Sequence, residues 1–428
     1  MQGRHGNARR WLPGLHFFLA DVRDGMGPFL GVFLLAQGWR LDDIGYVMAL
    51  GGMAGMLATT PLGALVDASR HKRRLLAVAI ALLLAGNLAI WAFPSLAVTA
   101  ASQVVAGLAA ALVAPCLLAI TLQITGHAGL PRQLGINEAW NHAGNVAAAA
   151  LAGAMGFRWG LPSVFVLMAL MGCAALMCLG RMRLHEAGPG TTVSCGAAAL
   201  RPAPLLRVLA GTPSLAWLAA VMLLFHLGNA AMLPLLGQAA VARGHADPAG
   251  FTALTIIVAQ LVMIPMALMA GRHARRKGYW ALVRIALLSL PLRGLVAAAW
   301  DSDWALVPVQ VLDGVGAGLL GVALPGLVAQ MLRGTGHVNA GLGVVMTLQG
   351  LGAAASPALA GWIAQRFGFD AAFLSLGAIA LLALVLCWCA GRPAAGRSGR
   401  QCPHAPDPAR QRPATQPASW RDAGDHRP

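Results

Sequence analysis

The chain has 428 residues, 58% of them hydrophobic and only 11% charged. A soluble domain carries roughly a quarter charged residues, so an ordinary soluble enzyme, a disordered chain and a small disulfide scaffold are excluded. The formal charge of +16 sits in short clusters between long apolar runs, the pattern of loops facing an anionic inner leaflet and not of a nucleic-acid-binding surface.

A membrane crossing takes roughly 20 apolar residues. Apolar runs bounded by turn residues and charges predict twelve helices, at 12–37, 43–66, 74–93, 96–124, 133–157, 161–180, 214–241, 251–270, 279–299, 304–332, 339–364 and 370–391. The predicted organisation is a short N-terminus (1–11), a first six-helix half (12–180), a flexible linker rich in Pro, Gly, Arg and Thr (181–213), a second half (214–391) and a Pro/Arg-rich tail (392–428). The tail is too poor in apolar groups to pack and reads as disordered. Asp21, Arg23 and Asp24 interrupt the first run, where a cleavable signal would be uniformly apolar.

Basic residues set the orientation. With the N-terminus inside, the inner side collects Arg4, Arg9 and Arg10, the cluster Arg70 to Arg74, and the cluster Arg272 to Lys277, while the outer loops hold Arg40, Arg158, Arg243 and Arg366. That asymmetry predicts both termini in the cytoplasm and an even number of crossings. Richness in Ala, Gly and Arg points to a GC-rich bacterial genome, hence a bacterial inner membrane. The seven cysteines show no CxxC or Cys/His metal spacing and read as small buried residues without disulfides. No metal or cofactor is expected.

The halves repeat. Pro61-Leu62-Gly63-Ala64-Leu65 is matched by Pro265-Met266-Ala267-Leu268-Met269, and Pro115 with Thr125-Gly126-His127 by Pro325 with Thr335-Gly336-His337. Gly135, Gly144, Leu151-Ala152-Gly153 and Arg158 are matched by Gly343, Gly352, Leu359-Ala360-Gly361 and Arg366. Such a membrane repeat predicts a substrate path between the halves.

The loop after the second helix reads Gly63-Ala64-Leu65-Val66-Asp67-Ala68-Ser69-Arg70-His71-Lys72-Arg73-Arg74. It is similar to the signature loop of the major facilitator superfamily, which the chain resembles over about residues 11–391. Gly63, Leu65, Asp67 and Lys72 match that signature, whereas Ala68, Arg70 and His71 depart from it. The resemblance implies an all-α membrane protein of twelve transmembrane helices in two six-helix pseudo-repeats. It also implies a cytoplasmic latch of Gly63, Asp67, Arg70, Lys72 and Arg73, in which an acid at a helix end pairs with basic groups in one state and releases them in another. In the second half Gly271 stands where Asp67 would be. The small-residue pattern Gly135–Gly144–Ala148–Gly153, and its copy with Pro357, resembles the fifth helix of proton-driven exporters. Gln103 and Gln310 occupy the place of the intramembrane arginine such exporters carry, which argues against the usual coupling arrangement.

Charges inside a membrane are costly, so they are functional candidates. Asp21, Arg23 and Asp24 lie in helix 1. Glu138, Asn141, His142 and Asn145 form a polar stripe on helix 5, with Glu138 and His142 spaced as i, i+4 partners. His226 and Asn229 share a face of helix 7, Asp313 lies in helix 10 and Gln349 in helix 11. An alternative reading is static pairing, Asp313 with Arg293 above all, and Arg284 is expected to snorkel. Cavity acids outnumber cavity bases, which favours protons or cationic groups as cargo, and a desolvated Glu and a His can both exchange protons. His185-Glu186 lacks a following zinc-binding His, and no nucleophile elbow or phosphate loop is present, so no enzyme is expected. The sequence therefore predicts a secondary transporter of a small-molecule substrate, working by alternating access, proton-coupled and exporting, a monomer in membrane lipid with no nucleic-acid partner. The alternatives are an uncoupled or uptake facilitator and a non-transporting membrane sensor.

Overall fold

A computed structural model describes residues 2–22, 26–182, 212–244, 247–300, 302–332 and 338–390. Every regular element among them is helical: α1 (Gln2–Ala20), α2 (Met26–Ala36), α3 (Leu41–Ala68), α4 (Lys72–Ala92), α5 (Leu96–Trp159), α6 (Pro162–Arg181), α7 (Pro213–Asn229), α8 (Met232–Ala242), α9 (Pro248–Lys277), α10 (Tyr279–Ala299), α11 (Leu306–Met331) and α12 (Val338–Ala390). A single 3₁₀ turn, Asp303–Ala305, precedes α11. Among the described residues, nine helical stretches are long and apolar enough to cross a membrane. In lipid the helix is the natural choice, because it satisfies every backbone group internally. Proline opens α6, α7 and α9, where its missing N–H costs nothing. The Asp247 carboxylate caps α9 by accepting from Gly250 N at 2.9 Å.

The structure redraws several predicted boundaries. Helix begins at Gln2, within the segment expected as a tail before the first crossing, and the first predicted helix is described as α1 and α2, with residues 23–25 outside the described residues. The predicted seventh helix is broken at Ala230–Ala231. Residues 183–211 of the predicted linker (181–213) and the whole predicted tail lie outside the described residues. Residues 1–391 form one compact unit.

The loops expected between helices 4 and 5, and between helices 11 and 12, are nearly absent. In α5 the sole non-helical residue is Gly126, at φ 65°, a left-handed value that glycine tolerates. The helix folds back there. Asn137 Nδ2 donates to Thr121 Oγ1 at 3.1 Å, although sixteen residues of straight helix would separate them by about 24 Å. The break in α12 is Gly368, at φ 85°. Gly352 packs on the Leu223 carbonyl and Gly228 on the Leu376 carbonyl, so two points far apart along α12 meet one short stretch of α7.

Consecutive crossings define two ends. One carries the turns near 37–40, 93–95, 160, 243–244, 302–305 and 368. Exposed Phe93, Phe157, Trp159, Trp300, Trp304, Trp362 and Phe367 gather there, with the Arg366 guanidinium 5.0 Å from the Trp362 ring centre. Aromatic rings favour the membrane–water boundary, and we call this the collar end. The opposite end carries Ser69–His71, Gly126 and Gly278, and we call it the latch end.

Buried apolar side chains form two clusters. One joins α1 to α6 around Phe165, Leu12 and Ile80, and reaches Ala249 and Ala253 of α9. The other joins α7 to α12 around Phe373, Leu287 and Met222, and reaches Leu41 of α3. Glycine contacts follow the sequence repeat. A Cβ on Gly144 would overlap the Phe17 carbonyl, as one on Gly352 would overlap that of Leu223, and Gly107 meets the Gly51 carbonyl as Gly314 meets that of Ala259. Small residues permit this backbone approach where lipid offers no hydrophobic drive.

Candidate functional site

Four helices of the second half converge on a cavity of about 320 Å³. α7 contributes His226 and Asn229 one turn apart, α10 contributes Ser289 and Arg293, α11 contributes Asp313, and α12 contributes Gln349. Its walls are otherwise apolar, with Phe225, Leu290, Leu320, Leu324 and Met346. Gly316 lets α11 approach α10, since a Cβ there would sit 2.7 Å from Ser289 Oγ.

Arg293 is the centre of this site. It is 1% exposed, and a buried charge must be paired and hydrogen-bonded. Its Nη1 donates to Asp313 Oδ1 at 2.7 Å and to Asn229 Oδ1 at 2.9 Å. Sequence analysis named this pair as the alternative to a functional role for Asp313, and the two residues do meet. Arg293 Nε and Nη2 have no hydrogen-bond partner, nor has Gln349 Oε1. Gln310, one turn from Asp313, is fully buried with neither side-chain atom partnered. His226 Nδ1 lies 2.9 Å from the Met222 carbonyl, which fixes the ring with Nδ1 as donor.

A second group of polar residues lies along the seam between the halves. Toward the collar end the seam is tight. Gly45 of α3 packs on the Pro357 carbonyl, Gly361 of α12 packs on the Leu41 carbonyl, and Gly153 of α5 meets Ala253 of α9. Gly361 and Ala253 stand 208 residues beyond Gly153 and Gly45, so the two seams are repeat-related copies. Leu41 N also donates to Gln365 Oε1 at 2.9 Å. At mid-depth His142 Nδ1 lies 3.1 Å from Gln260 Oε1, joining α5 to α9. Toward the latch end Gly63, Gly135 and Gly343 of the same helices have nothing within 4 Å of a built Cβ.

The remaining predicted residues distribute as follows. Asp21 is buried with one carboxylate oxygen unpartnered, and Arg23 and Asp24 lie outside the described residues. Asn141 is buried, Asn145 half-buried and Glu138 exposed. The structure pairs His142 with Gln260 of the facing half, and no bond between Glu138 and His142 is present among the described residues. In the latch region the Asp67 side chain lies outside the described residues. Gly63 is half-buried and Arg70 is exposed beside the turn. Lys72 Nζ donates to the Ser69 carbonyl at 3.1 Å. Arg73 donates to the carbonyls of Gly180 (2.8 Å) and Met182 (3.1 Å) at the end of α6, where a cation suits the helix C-terminus. Arg284, expected to snorkel, lies 4.7 Å from the Trp388 ring centre.

Sequence reasoning missed Gln260 and Ser289, and the buried chain from Gln133 to Asn137 to Thr121 that links the two arms of α5. The available signals were Ser289 one turn before Arg293, and Gln133 one turn before Asn137.

Helices crossing a membrane in two repeat-related groups, with a polar cavity at mid-depth, define a membrane transporter. The sequence matches the Major Facilitator Superfamily over residues 14–296 and 283–423, and the chain belongs to that family. Two relatives are MFS-type transporters of Mycobacterium tuberculosis, from strains CDC 1551 / Oshkosh and H37Rv. Each is 39% identical over 378 residues, covering 87% of this chain and 90% of the relative. Among solved structures, a mutant of nucleoside transporter NupG superposes with a TM-score of 0.77 at 12% identity, covering 90% of this chain and 100% of that one. A D-xylose-proton symporter superposes at 0.66 with 14% identity, covering 88% and 95%. The protein is a multi-pass membrane transporter and not an enzyme.

Proposed function

We propose that the protein is a secondary transporter that carries a small solute by alternating access between two six-helix halves, with twelve crossings, as a monomer. The observation that carries the reading is the contrast between the glycines of these helices, which meet the backbone of the other half at the collar end and border open space at the latch end. Placing the latch end in the cytoplasm, as the basic loops favour, makes the described conformation inward-facing. Both termini then lie in the cytoplasm of a bacterium, at its inner membrane. The solute occupies the Arg293–Asp313 cavity. Protons are the coupling ion, supported by the unpartnered oxygen of buried Asp21 and by the exposed Glu138 one turn from the His142 contact. Transport runs outward, a direction supported by the small-residue pattern of the fifth crossing.

The test is counterflow in proteoliposomes containing the purified chain, with and without an imposed pH gradient. Saturable exchange establishes transport, and accumulation that follows the gradient establishes coupling. Exchange without accumulation would leave the uncoupled facilitator, a reading favoured by Gln103 in the place of an arginine. A folded protein that exchanges no solute would return the non-transporting sensor.

A further inference from the structure

The Arg293 charge is sealed away from the cavity it borders. Nη1 is committed to Asp313 and Asn229, and Nε and Nη2 are buried beyond the reach of a solute. A solute can touch only what these bonds leave over. Asp313 keeps 17% of its side chain exposed and is bonded through Oδ1 alone, so Oδ2 is a free acceptor. Helical spacing turns it inward, because Asp313, Ala317 and Gly321 follow at four-residue steps on one face of α11 and all three line the cavity. A Cβ on Gly321 would meet nothing within 4 Å, so the row that carries the carboxylate leaves room for a ligand. His226 has Nδ1 on the Met222 carbonyl, which leaves Nε2 as a lone-pair acceptor. Asn229 accepts from Arg293 through Oδ1, which leaves its Nδ2 as a donor, and Gln349 has Oε1 buried, which leaves its Nε2. None of these four remaining atoms is buried without a partner among the described residues, so each is open to a solute.

Charge narrows the choice. An anion would meet the free oxygen of Asp313 without reaching the guanidinium. A cation would meet a carboxylate already paired at 2.7 Å, with the buried guanidinium behind it, and would give up its hydration for little return. A hydroxyl suits both kinds of open atom. It donates to Asp313 Oδ2, in a charge-assisted bond, or to His226 Nε2, and it accepts from the amides of Asn229 and Gln349. Several hydroxyls on one small frame can meet all four atoms, and a volume of about 320 Å³ lies at the small end of ligand sites.

We infer that the cavity binds a small uncharged polyol, one hydroxyl donating to Asp313 Oδ2 and others meeting His226, Asn229 and Gln349. This rests on the proposed function in taking the cavity as the site of the transported solute. It departs from the sequence expectation of a protonic or cationic cargo, because that expectation counted acids along the whole membrane interior and not the atoms left open around this cavity.

The experiment measures binding to the purified full chain in lipid nanodiscs, with erythritol, xylitol, sorbitol and myo-inositol as probes. Gluconate and N-methylglucamine, which place a negative and a positive charge on the hydroxylated chain of sorbitol, are the controls. At least one polyol binds saturably, and neither control displaces it at equal concentration. Gly321→Leu fills open space in the cavity without touching Arg293 or Asp313, and weakens binding by about tenfold or more. His226→Phe keeps a ring and removes Nε2, and weakens binding by roughly fivefold. Asp313→Asn turns the free acceptor into a donor and weakens binding further than His226→Phe does. If that variant fails to fold, with Arg293 left without its counter-charge, Gly321→Leu and His226→Phe decide alone. Absence of binding by every polyol, displacement by either control, or unchanged affinity in Gly321→Leu or in His226→Phe would each overturn the inference. Exchange of another solute in proteoliposomes, with no polyol bound, would overturn the ligand assignment and leave the transport reading standing. Polyol binding with no exchange would do the opposite.

Discussion

The collar end and the latch end are built from the same glycine-bearing helices, yet they use those glycines differently. At the collar end Gly45, Gly153 and Gly361 let backbones of opposite halves touch; at the latch end Gly63, Gly135 and Gly343 border open space. A glycine costs helix stability relative to alanine, so one without a close neighbour is unexplained by this conformation alone. In the proposed transport cycle it is explained by the other conformation, in which the latch end closes and the collar end parts. The contrast therefore identifies which contacts hold the described state and which positions a second state would use.

The largest effect is expected at the tight end. Gly361→Leu places a side chain against the Leu41 carbonyl and Gly45, and overpacking of this kind costs about 1–3 kcal/mol, up to roughly a hundredfold in the balance of states. Solute exchange should fall by at least about tenfold, and a cysteine at Leu41, which is buried, should become more reactive to a water-soluble thiol reagent. Unchanged reactivity would mean that the seam is not a moving contact.

The reciprocal substitution is Gly343→Leu at the open end. It meets nothing in this conformation, so the fold and the solute affinity should survive. Exchange should still fall several-fold if closure requires this position, while a cysteine at Leu41 stays protected. Full exchange would remove the latch-end glycines from the cycle.

A smaller change is expected from Gln260→Leu, which deletes the mid-depth partner of His142. A hydrogen bond between neutral groups is worth about 1 kcal/mol net, so the balance of states should move by roughly fivefold toward an open collar end. Thiol accessibility at Leu41→Cys, compared with and without the Gln260 change, measures it.

The smallest is Arg73→Gln, which removes the two bonds to the end of α6. Because Arg73 is exposed, the effect should be a lowering of Tm by a few degrees, with exchange retained at permissive temperature. Loss of exchange in a protein of unchanged Tm would instead give Arg73 a part in the latch.

Much of the fold was legible because lipid imposes one rule on every crossing, and apolar runs with basic loops report it directly. The interruptions were not. Nothing in Ala230 to Met232 competes with the apolar average, and the tight folds at Gly126 and Gly368 replace turns that a count of polar residues would lengthen. At the site, Asp313 was legible as the lone charge of α11, and Arg293 as one of two arginines in an otherwise apolar α10. The partner of His142 was not, since spacing along one helix favours Glu138 whereas packing across the seam brings Gln260. Helical periodicity ranks neighbours on the same helix and is silent about those on the next.

The tight folds at Gly126 and Gly368 bear on how the protein is made. Two crossings joined by a single non-helical residue leave almost no chain to wait in water between them. Each such pair should therefore enter the bilayer together, as one hairpin. The polar residues flanking Gly368, Gln365, Arg366 and Asp370, would be carried across at its tip, and burying both arms at once offsets the cost of that passage. Lengthening either turn with a flexible insert would uncouple the arms and turn one insertion event into two.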